Sequence, residues 1–390
     1  MRVTHIISGI DASLGGPVSA LMGLARAEAA EGIDVKVVAM VHSEQIPPAV
    51  EQLRESSVPV VTIGPTSYPI GWHPSTPRVL QPVIAAGDIV HIHALWEDIQ
   101  HQAARLSREL GKPYIFRPCG MLDDWAMKRS RLKKRLYMLL RLKRDLNHAA
   151  AIHVSTAWEH DQTATLGLKA PLIVAPNGVE LGEFENLPPV GAFRAKHPQT
   201  SGRPLIVFLG RVFPGKGVEM LIPALARMKQ SQAMLAVVGP DSGGYQEQMR
   251  TLAEQLGVRD RVLFTGMARG RERIEALVDA DLFGLPSEHE NFGVAVLEAM
   301  AAGTPVIVSD QVGLYREIEA AKAGEAVPLQ VGRLAAAMDA WIQDEPRRRD
   351  AGARAREMVF DRFSWQRIAR KWIGYYDQMK QGKSRVVGND

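Results

Sequence analysis

The sequence contains a single cysteine, which excludes an internal disulfide and gives no argument for an oxidising compartment. No apolar run approaches the roughly 18 residues that a membrane-spanning helix needs. The chain also lacks a basic N-terminal region followed by a long apolar stretch, so we expect no signal peptide and a cytoplasmic location. It contains no known nucleic-acid-binding motif.

What is present is the composition of an ordinary globular protein, with 46% hydrophobic and 23% charged residues among 390. That length suits two domains. In both halves short apolar runs alternate with helical stretches, which predicts parallel sheets covered by helices. The join is expected near residues 176–189, which are rich in Pro, Gly and Asn. Strands are predicted at residues 3–7, 35–39, 58–63, 88–93, 113–116, 151–154 and 172–174, then at 205–209, 234–238, 262–265, 282–285 and 306–308.

The most informative segment, SEHENFGVAVLE, contains two glutamates, Glu290 and Glu298, separated by eight positions. On one helix that separation corresponds to about 12 Å, whereas paired glycosidase carboxylates lie about 5 to 9.5 Å apart. We therefore expect the two glutamates to hold opposite ends of one ligand. Phe292 and Gly293 begin a helix between them, and unpaired amides at a helix start suit a phosphate. The alternative is that Glu298 is simply a polar residue on an amphipathic helix.

A second segment, FLGRVFPGKG, predicts a strand, a turn and the start of a helix near Gly217. Such loops lie at the carboxyl ends of parallel strands, where open α/β sheets bind ligands. Arg211 and Lys216 would place two positive charges on a diphosphate. The alternative is that both are solvated surface cations.

Together these segments resemble glycosyltransferase family 4, whose members are retaining nucleotide-sugar transferases of GT-B fold. Glu290 and Glu298 match the family's E-x7-E motif, and Gly210 to Gly217 match its basic loop. The resemblance extends from about residue 3 to 376. It is also carried by Val174-Ala175-Pro176-Asn177-Gly178-Val179 and by Gly303-Thr304-Pro305-Val306-Ile307.

The resemblance implies two Rossmann-like domains with parallel sheets facing each other across a deep cleft. Residues 1–176 would form the acceptor domain, joined by a C-terminal crossing helix at 363–380, and residues 177–362 would form the donor domain. The aromatic content of residues 364–379 agrees with a buried crossing helix.

The resemblance also implies roles for individual residues. Arg211 and Lys216 would neutralise the donor diphosphate, Glu298 would bind the ribose hydroxyls, and Glu290 would contact the transferred sugar. The remaining donor-binding positions are Met267 beside the base, Asn291, Phe292 and Gly293 along the glutamate segment, and Gly15 and Gly16 from the other domain.

One segment departs from the family pattern. Many relatives carry a His-Gly pair after the strand equivalent to residues 114–117, but this chain reads Arg117-Pro118-Cys119-Gly120-Met121-Leu122-Asp123, which is similar to a Pro-x-Gly-Met-Leu subset. Cys119 occupies the approximate place of the histidine and is not an obvious replacement. Cys119 and His93 are candidate contacts to the sugar or acceptor.

His91 and His93 alternate on one strand and therefore face the same side. Three interpretations stay open for them: a metal site, a ligand contact by His93, and structural histidines. A metal site needs further ligands, and no other histidine or cysteine joins the pair along the sequence. Asp279-Ala280-Asp281 spells the D-x-D metal signature of another glycosyltransferase fold, but it precedes a strand and predicts a helix-to-strand corner.

The run from Lys128 to Arg144 contains no acidic residue, and its leucines recur at helical spacing. It predicts either a helix on an anionic membrane surface that receives a lipid-linked acceptor, or a surface helix whose leucines pack on the sheet. The run lacks interleaved aromatics beyond Tyr137, which argues against nucleic acid.

The expected function is therefore metal-independent, retaining hexosyl transfer from a UDP-, GDP- or ADP-sugar to a glycan acceptor, with no cofactor. By analogy, a polyprenyl-linked or growing polysaccharide acceptor in envelope or exopolysaccharide synthesis is expected. The alternatives are a nucleotide-sugar epimerase on the same fold and a non-catalytic nucleotide-sugar-binding protein. Product formation from the donor alone would favour the epimerase, and donor binding without turnover would favour the binding protein.

Overall fold

The computed structural model describes residues 1–11, 15–66, 69–128 and 130–381. It divides into unit 1, formed by Met1–Gly178 with the C-terminal residues from Trp365, and unit 2, formed by Val179–Ser364. Each unit is built on a parallel sheet, as the alternating apolar runs predict. In the described part of the chain no helix is long and apolar enough to cross a bilayer.

The described residues of unit 1 contain a seven-stranded parallel sheet in the order β3-β2-β1-β4-β5-β6-β7. The strands are β1 Arg2–Ile7, β2 Asp34–Met40, β3 Val60–Ile63, β4 Ile89–His93, β5 Tyr114–Arg117, β6 Ala151–Val154 and β7 Leu172–Val174. The helices are α1 Gly16–Ala30, α2 Pro48–Glu55, α3 Thr76–Ala86, α4 Asp98–Glu109, α5 Asp124–Lys128, α6 Arg131–Tyr137, α7 Lys143–Asn147 and α8 Ala157–Ala164, with a 3₁₀ turn at Pro69–Gly71 and a π-helical turn at Met138–Leu142.

The described residues of unit 2 form a six-stranded parallel sheet in the order β10-β9-β8-β11-β12-β13. The strands are β8 Leu205–Leu209, β9 Met234–Val238, β10 Val262–Gly266, β11 Leu282–Leu285, β12 Val306–Ser309 and β13 Gly324–Val327. The helices are α9 Gly182–Glu185, α10 Ala192–Lys196, α11 Val218–Arg227, α12 Tyr245–Gln255, α13 Arg271–Val278, α14 Val294–Ala301, α15 Tyr315–Ala320, α16 Val331–Gln343 and α17 Glu345–Arg362, with 3₁₀ turns at Pro198–Thr200 and Arg259–Arg261.

Strands β8, β9, β11 and β12 are buried along their whole length, which is why they read as continuous apolar runs rather than alternating ones. Because β8 and β11 are hydrogen-bonded neighbours in parallel, the loops that follow them lie side by side at the carboxyl edge of the sheet. These loops are the two segments that the sequence singles out.

The last helix, α18 (Trp365–Lys380), belongs to unit 1 and packs against α1. Its aromatic residues Trp365, Trp372, Tyr375 and Tyr376 are buried, as expected. A Cβ at Gly23 would lie 2.1 Å from the Trp365 ring, and one at Gly178 would lie 2.5 Å from it. These two glycines therefore make room for the indole.

The D-x-D segment forms the predicted helix-to-strand corner. Asp279 accepts hydrogen bonds from the amides of Gly191 (2.6 Å) and Arg194 (2.9 Å), and Asp281 accepts one from the amide of Leu205 (2.8 Å). Both carboxylates therefore tie neighbouring segments to the corner.

Candidate functional site

The two loops that carry the sequence motifs are hydrogen-bonded to each other in unit 2. The amide of Glu288 donates to the carbonyl oxygen of Gly215 at 2.9 Å, and the Ser287 hydroxyl donates to the carbonyl oxygen of Lys216 at 3.2 Å. Gly217 has φ +99°, and a Cβ there would lie 2.5 Å from the carbonyl oxygen of Pro286. Only glycine allows this approach, and the approach brings the basic loop beside the glutamate segment.

Lys216 and Glu290 come into direct contact where the loops meet. Lys216 Nζ lies 2.6 Å from Glu290 Oε2, and the two side chains are 27% and 23% exposed. The sequence predicts that these residues bind adjacent parts of one donor, and the structure places them next to each other. A ligand that reaches the ammonium group would therefore also lie beside the carboxylate.

Arg211 follows β8 and is exposed. Across the described ranges, its guanidinium makes no hydrogen bond or ion pair with another side chain, whereas the Lys216 ammonium group pairs with Glu290. An arginine that is not paired within the protein keeps its planar set of donors for an anion.

The start of α14 provides amides that no side chain caps. Gly293 precedes the helix with φ +95°, and the first turn carries no acidic residue. The Phe292 side chain is buried and lies near Phe363, so Phe292 and Gly293 present backbone rather than side chains. The start of α11 differs, because Glu219 already accepts hydrogen bonds from the amides of Gly215 (2.7 Å) and Gly217 (3.3 Å). Of the two helix starts, α14 is the one left for a phosphate.

Glu298 lies on α14 and is held by an arginine that the sequence analysis missed. Arg273 Nε lies 3.3 Å from Glu298 Oε1, and the same guanidinium also pairs with Glu183. Burial raises the pKa of Glu298, and the charge of Arg273 opposes that rise. The arginine therefore fixes the direction of the Glu298 carboxylate, and no local sequence pattern signals the contact.

The other predicted donor-binding residues of unit 2 are accessible to different extents. Met267, which follows β10, is exposed, and Asn291 is half-buried. Their contacts with a base or sugar stay predictions.

In unit 1 the predicted ligand-binding glycines lie at the start of α1, with Gly15 preceding the helix and Gly16 as its first residue. Gly15 has φ +77° and ψ −138°, and its carbonyl oxygen accepts from the amides of Val18 (3.1 Å) and Ser19 (3.3 Å). Gly16 has no atom within 4 Å of an added Cβ. The backbone of Gly15 thus requires glycine, while contact of either residue with a ligand stays a prediction.

Cys119 adopts φ +55°, and its thiol lies 3.6 Å from the carbonyl oxygen of Arg117. Burial raises the pKa of the Cys119 thiol, which disfavours the thiolate. The same loop is held by Glu159, whose carboxylate accepts from the Gly120 amide at 2.6 Å. The neutral thiol is therefore the favoured form, and a contact of Cys119 with the sugar or acceptor stays a prediction.

His91 and His93 belong to a buried cluster, so the expectation that no further histidine joins them is wrong. Strand pairing places His5 of β1 directly beside His91, and β6 contributes His153. Sequence spacing misses the cluster because its members come from three strands. The fully or almost fully buried histidines are His5, His91, His93 and His153.

Hydrogen bonds connect this cluster to two helices. His5 bonds to His93 Nε2 at 3.0 Å and to Glu28 of α1 at 2.7 Å. Tyr376 of α18 donates to Glu28 at 2.8 Å and is hydrogen-bonded to His91 Nδ1 at 2.8 Å. The cluster thus joins the C-terminal helix to the sheet.

Donor nitrogens of His5, His91 and His93 lie within 4.8 Å of one another, a spacing that could hold a metal ion, so a metal site stays one of the open interpretations. Burial lowers the pKa of His91 and His93 well below the ordinary value, and nearby charges, including that of buried Arg117, lower it further. A lowered pKa keeps the imidazole neutral, which is also the form that binds a metal ion, so these pKa shifts do not decide between a metal site and structural histidines. The buried positions favour structural histidines, and a ligand contact by His93 stays a prediction.

Replacing Tyr376 by phenylalanine is expected to lower the free energy of unfolding by about 1 to 3 kcal/mol, because Glu28 and His91 would each lose a buried partner. Urea denaturation measures the change. Tyr375→Phe is the matched control, since Tyr375 is also buried and lies beside Tyr376 in the helix, and it is expected to shift stability by less than about 0.5 kcal/mol. Equal effects of the two changes would contradict this role of the cluster.

Two family models match the chain one after the other. The Glycosyl transferase 4-like domain matches residues 15–178, and Glycosyl transferases group 1 matches residues 190–358. The chain belongs to glycosyltransferase family 4.

Relatives in this family include proteins that are named for mannose transfer. A GDP-mannose-dependent alpha-(1-6)-phosphatidylinositol monomannoside mannosyltransferase of Mycobacterium tuberculosis is 34% identical over 218 residues, 53% of this chain and 56% of that protein. An uncharacterized glycosyltransferase of Methanocaldococcus jannaschii is 35% identical over 44% of each chain. The matches thus span about half the length of these two relatives. A GDP-mannose:cellobiosyl-diphosphopolyprenol alpha-mannosyltransferase of Xanthomonas campestris is 26% identical over 96% of both chains.

Two solved structures show the same fold. Anabaena Alr3699/HepE in complex with UDP superposes with a TM-score of 0.82 at 19% identity, covering 97% of this chain and all of that one. Sucrose-phosphate synthase from Thermosynechococcus elongatus gives a TM-score of 0.77 at 22% identity, covering 98% of this chain. The chain therefore has the GT-B fold, with two parallel-sheet α/β units.

Proposed function

We propose that this protein transfers a hexose from a nucleoside-diphosphate sugar to a glycan acceptor, retains the anomeric configuration, and uses no metal at the diphosphate. The contact between Lys216 and Glu290 supports the proposal most directly, because it joins the cation that we assign to the diphosphate to the carboxylate that we assign to the sugar. Arg211 and the uncapped start of α14 lie on the same two loops.

In the proposed reaction the glycosidic bond to the diphosphate breaks and the leaving group gains negative charge. Arg211, Lys216 and the amides at the start of α14 would stabilise that charge in place of a metal ion. Glu298, oriented by Arg273, would accept hydrogen bonds from the ribose hydroxyls, and Glu290 would contact the transferred sugar. Among the residues that the structure describes, we assign no second carboxylate as a covalent nucleophile. The proposed route is therefore same-face attack by the acceptor hydroxyl, with the departing phosphate accepting the acceptor proton.

GDP-mannose is the first donor to test, since two relatives depend on it by name. The acceptor we propose is lipid-linked or a growing polysaccharide, used at the inner face of the membrane in envelope or exopolysaccharide synthesis. The relatives' names mention a phosphatidylinositol glycan and a polyprenol diphosphate glycan, which supports a lipid-linked acceptor.

A thermal-shift series with GDP-, UDP- and ADP-sugars tests donor binding. A ligand at about 100 times its Kd stabilises the folded state by about 2.7 kcal/mol, so the true donor should raise the melting temperature by several degrees. Incubating that donor with lipid-linked acceptors should give a product whose anomeric configuration, read by NMR, matches that of the donor. Inverted product, or product from the donor alone, would overturn the proposal.

Treatment with excess EDTA is expected to leave the transfer rate within about twofold of the untreated rate, because protein cations stabilise the diphosphate. The measurement compares initial rates with EDTA, and with EDTA followed by Mg²⁺ or Mn²⁺. Complete loss of activity that the added metal restores would contradict the metal-free site.

A further inference from the structure

A helix in unit 1 has two apolar faces, and only one of them packs against the protein. The helix consists of α6, the π-helical turn and α7, residues 131–147, and is called the basic helix here. Its inner face carries Leu142 and Leu146, which are buried in the unit 1 core, with Met138 packed against them. Its outer face carries leucines that are 83%, 58%, 76% and 68% exposed, namely Leu132, Leu136, Leu139 and Leu140.

Of the two alternatives that the sequence left open, packing of the leucines on the sheet is wrong for these four and holds for Leu146. The spacing of the four exposed leucines, of four, three and one residues, groups them on one side of the helix. Met138, Leu142 and Leu146 are set apart from them by packing in the core. Scattered exposed leucines are ordinary, but a contiguous stripe of four marks an interaction surface.

Positive charge surrounds this stripe. The segment from Lys128 to Arg144 has no acidic residue, and Asp145, the first acid after it, is buried. Arg129 lies outside the described residues. The exposed cations of the basic helix are Arg131, Lys133, Arg135, Arg141, Lys143 and Arg144.

A cavity of about 370 Å³ between α4 and the basic helix extends the charged surface, with Leu140 in its wall. Arg105 pairs with Glu109 at 2.7 Å and Arg108 pairs with Asp145 at 2.8 Å, so these two charges are balanced within the protein. Arg141 lies 3.4 Å from Asp98 and stays 44% exposed, and Arg144 has no ion pair within the described ranges. The cavity therefore has excess positive charge, and its guanidinium groups suit a phosphate.

We propose that the basic helix docks on a bilayer that contains anionic phospholipids, with its outer leucines at the headgroup–acyl boundary and its arginines on lipid phosphates. The apolar stripe suits the acyl layer of such a bilayer, and the flanking cations suit its anionic headgroups. Hydrophobic and electrostatic attraction therefore both favour binding. Leucines offer no stacking surface for nucleic-acid bases, and a protein partner would have to match the same excess of charge. The proposal depends on unit 1 alone and goes beyond sugar transfer.

Vesicle co-sedimentation of the full-length protein, without nucleotide, tests the proposal. Phosphatidylcholine vesicles are compared with vesicles containing about one-third phosphatidylglycerol. The wild type is expected to sediment with the anionic vesicles only, and high salt is expected to weaken this binding. Leu136→Asp/Leu139→Asp and Arg135→Glu/Arg144→Glu are each expected to lower partitioning by about tenfold or more.

Two controls in unit 2 match these changes. Val190→Asp alters an exposed apolar residue, and Arg333→Glu/Arg349→Glu gives the same charge change; both should bind vesicles like the wild type. All variants should keep the wild-type melting temperature and donor-induced shift. Because donor binding and stability are measured separately from vesicle binding, failure of this proposal can be distinguished from failure of the proposed function.

Three results would overturn the proposal that this face binds a membrane. The wild type could fail to bind anionic vesicles, or it could bind neutral vesicles equally well. The leucine and arginine variants could also both bind anionic vesicles as strongly as the wild type does. The wild type could also form a dimer in light scattering and bind no vesicles. If Leu136→Asp/Leu139→Asp abolishes that dimer, the stripe is instead an interface between two copies of the chain.

Discussion

Lys216→Ala is expected to lower kcat/KM for sugar transfer by about 10²-fold or more. Removing one positioned donor of transition-state charge typically costs that much, because charge grows on the diphosphate as the glycosidic bond breaks. Lys216 also contacts Glu290, so the change removes the group that links the two ligand-binding loops through their side chains. Steady-state kinetics with saturating acceptor measures the effect.

Arg211→Ala is expected to have an effect of similar size, because its guanidinium acts on the same diphosphate. Lys229→Ala is the control, since Lys229 is an exposed lysine just beyond the other end of α11. Melting temperatures close to that of the wild type would show that the fold is intact. Near-normal turnover of purified Lys216→Ala and Arg211→Ala would remove both residues from the proposed mechanism.

Glu298→Ala is expected to raise KM for the donor by about 10- to 100-fold with little change in kcat. A hydrogen bond to a charged group contributes about 1.5 to 3 kcal/mol, and the ribose does not change during the reaction. Its loss therefore weakens ground state and transition state equally.

Glu183→Ala is the matched control for Glu298→Ala, because both carboxylates pair with Arg273 and only Glu298 is assigned to the ribose. We expect it to change the donor KM by less than about threefold. Equal effects of the two variants would show that Arg273, rather than the Glu298 carboxylate, is what the donor needs. A fall in kcat with KM unchanged would place Glu298 in the chemical step.

The sequence predicts those parts of the fold and site whose signals are local. Strands β8, β9 and β11 are continuous apolar runs bounded by glycine or proline, and the structure has them at the predicted residues. The contact of Lys216 with Glu290 follows from parallel strands that place successive loops at one edge of a sheet. Family resemblance assigned the roles of these residues, and spacing alone did not.

The parts that the sequence analysis missed depend on pairing between distant segments. Arg273 meets Glu298 from another helix, and nothing near either residue signals the contact. His5 joins His91 only because β1 pairs with β4, and Tyr376 reaches them from a helix 285 residues beyond His91. The outer leucines of the basic helix were ambiguous for a different reason, since helical spacing shows that residues share a face but not whether that face is covered.

A crystal structure with bound GDP or UDP tests the central claim most directly. It should show diphosphate oxygens about 2.7 to 3.2 Å from Lys216 Nζ, from the Arg211 guanidinium and from amides at the start of α14. The ribose hydroxyls should lie within the same distance of the Glu298 carboxylate. A nucleotide bound elsewhere, or an empty site with Lys216 directed into solvent, would contradict the account.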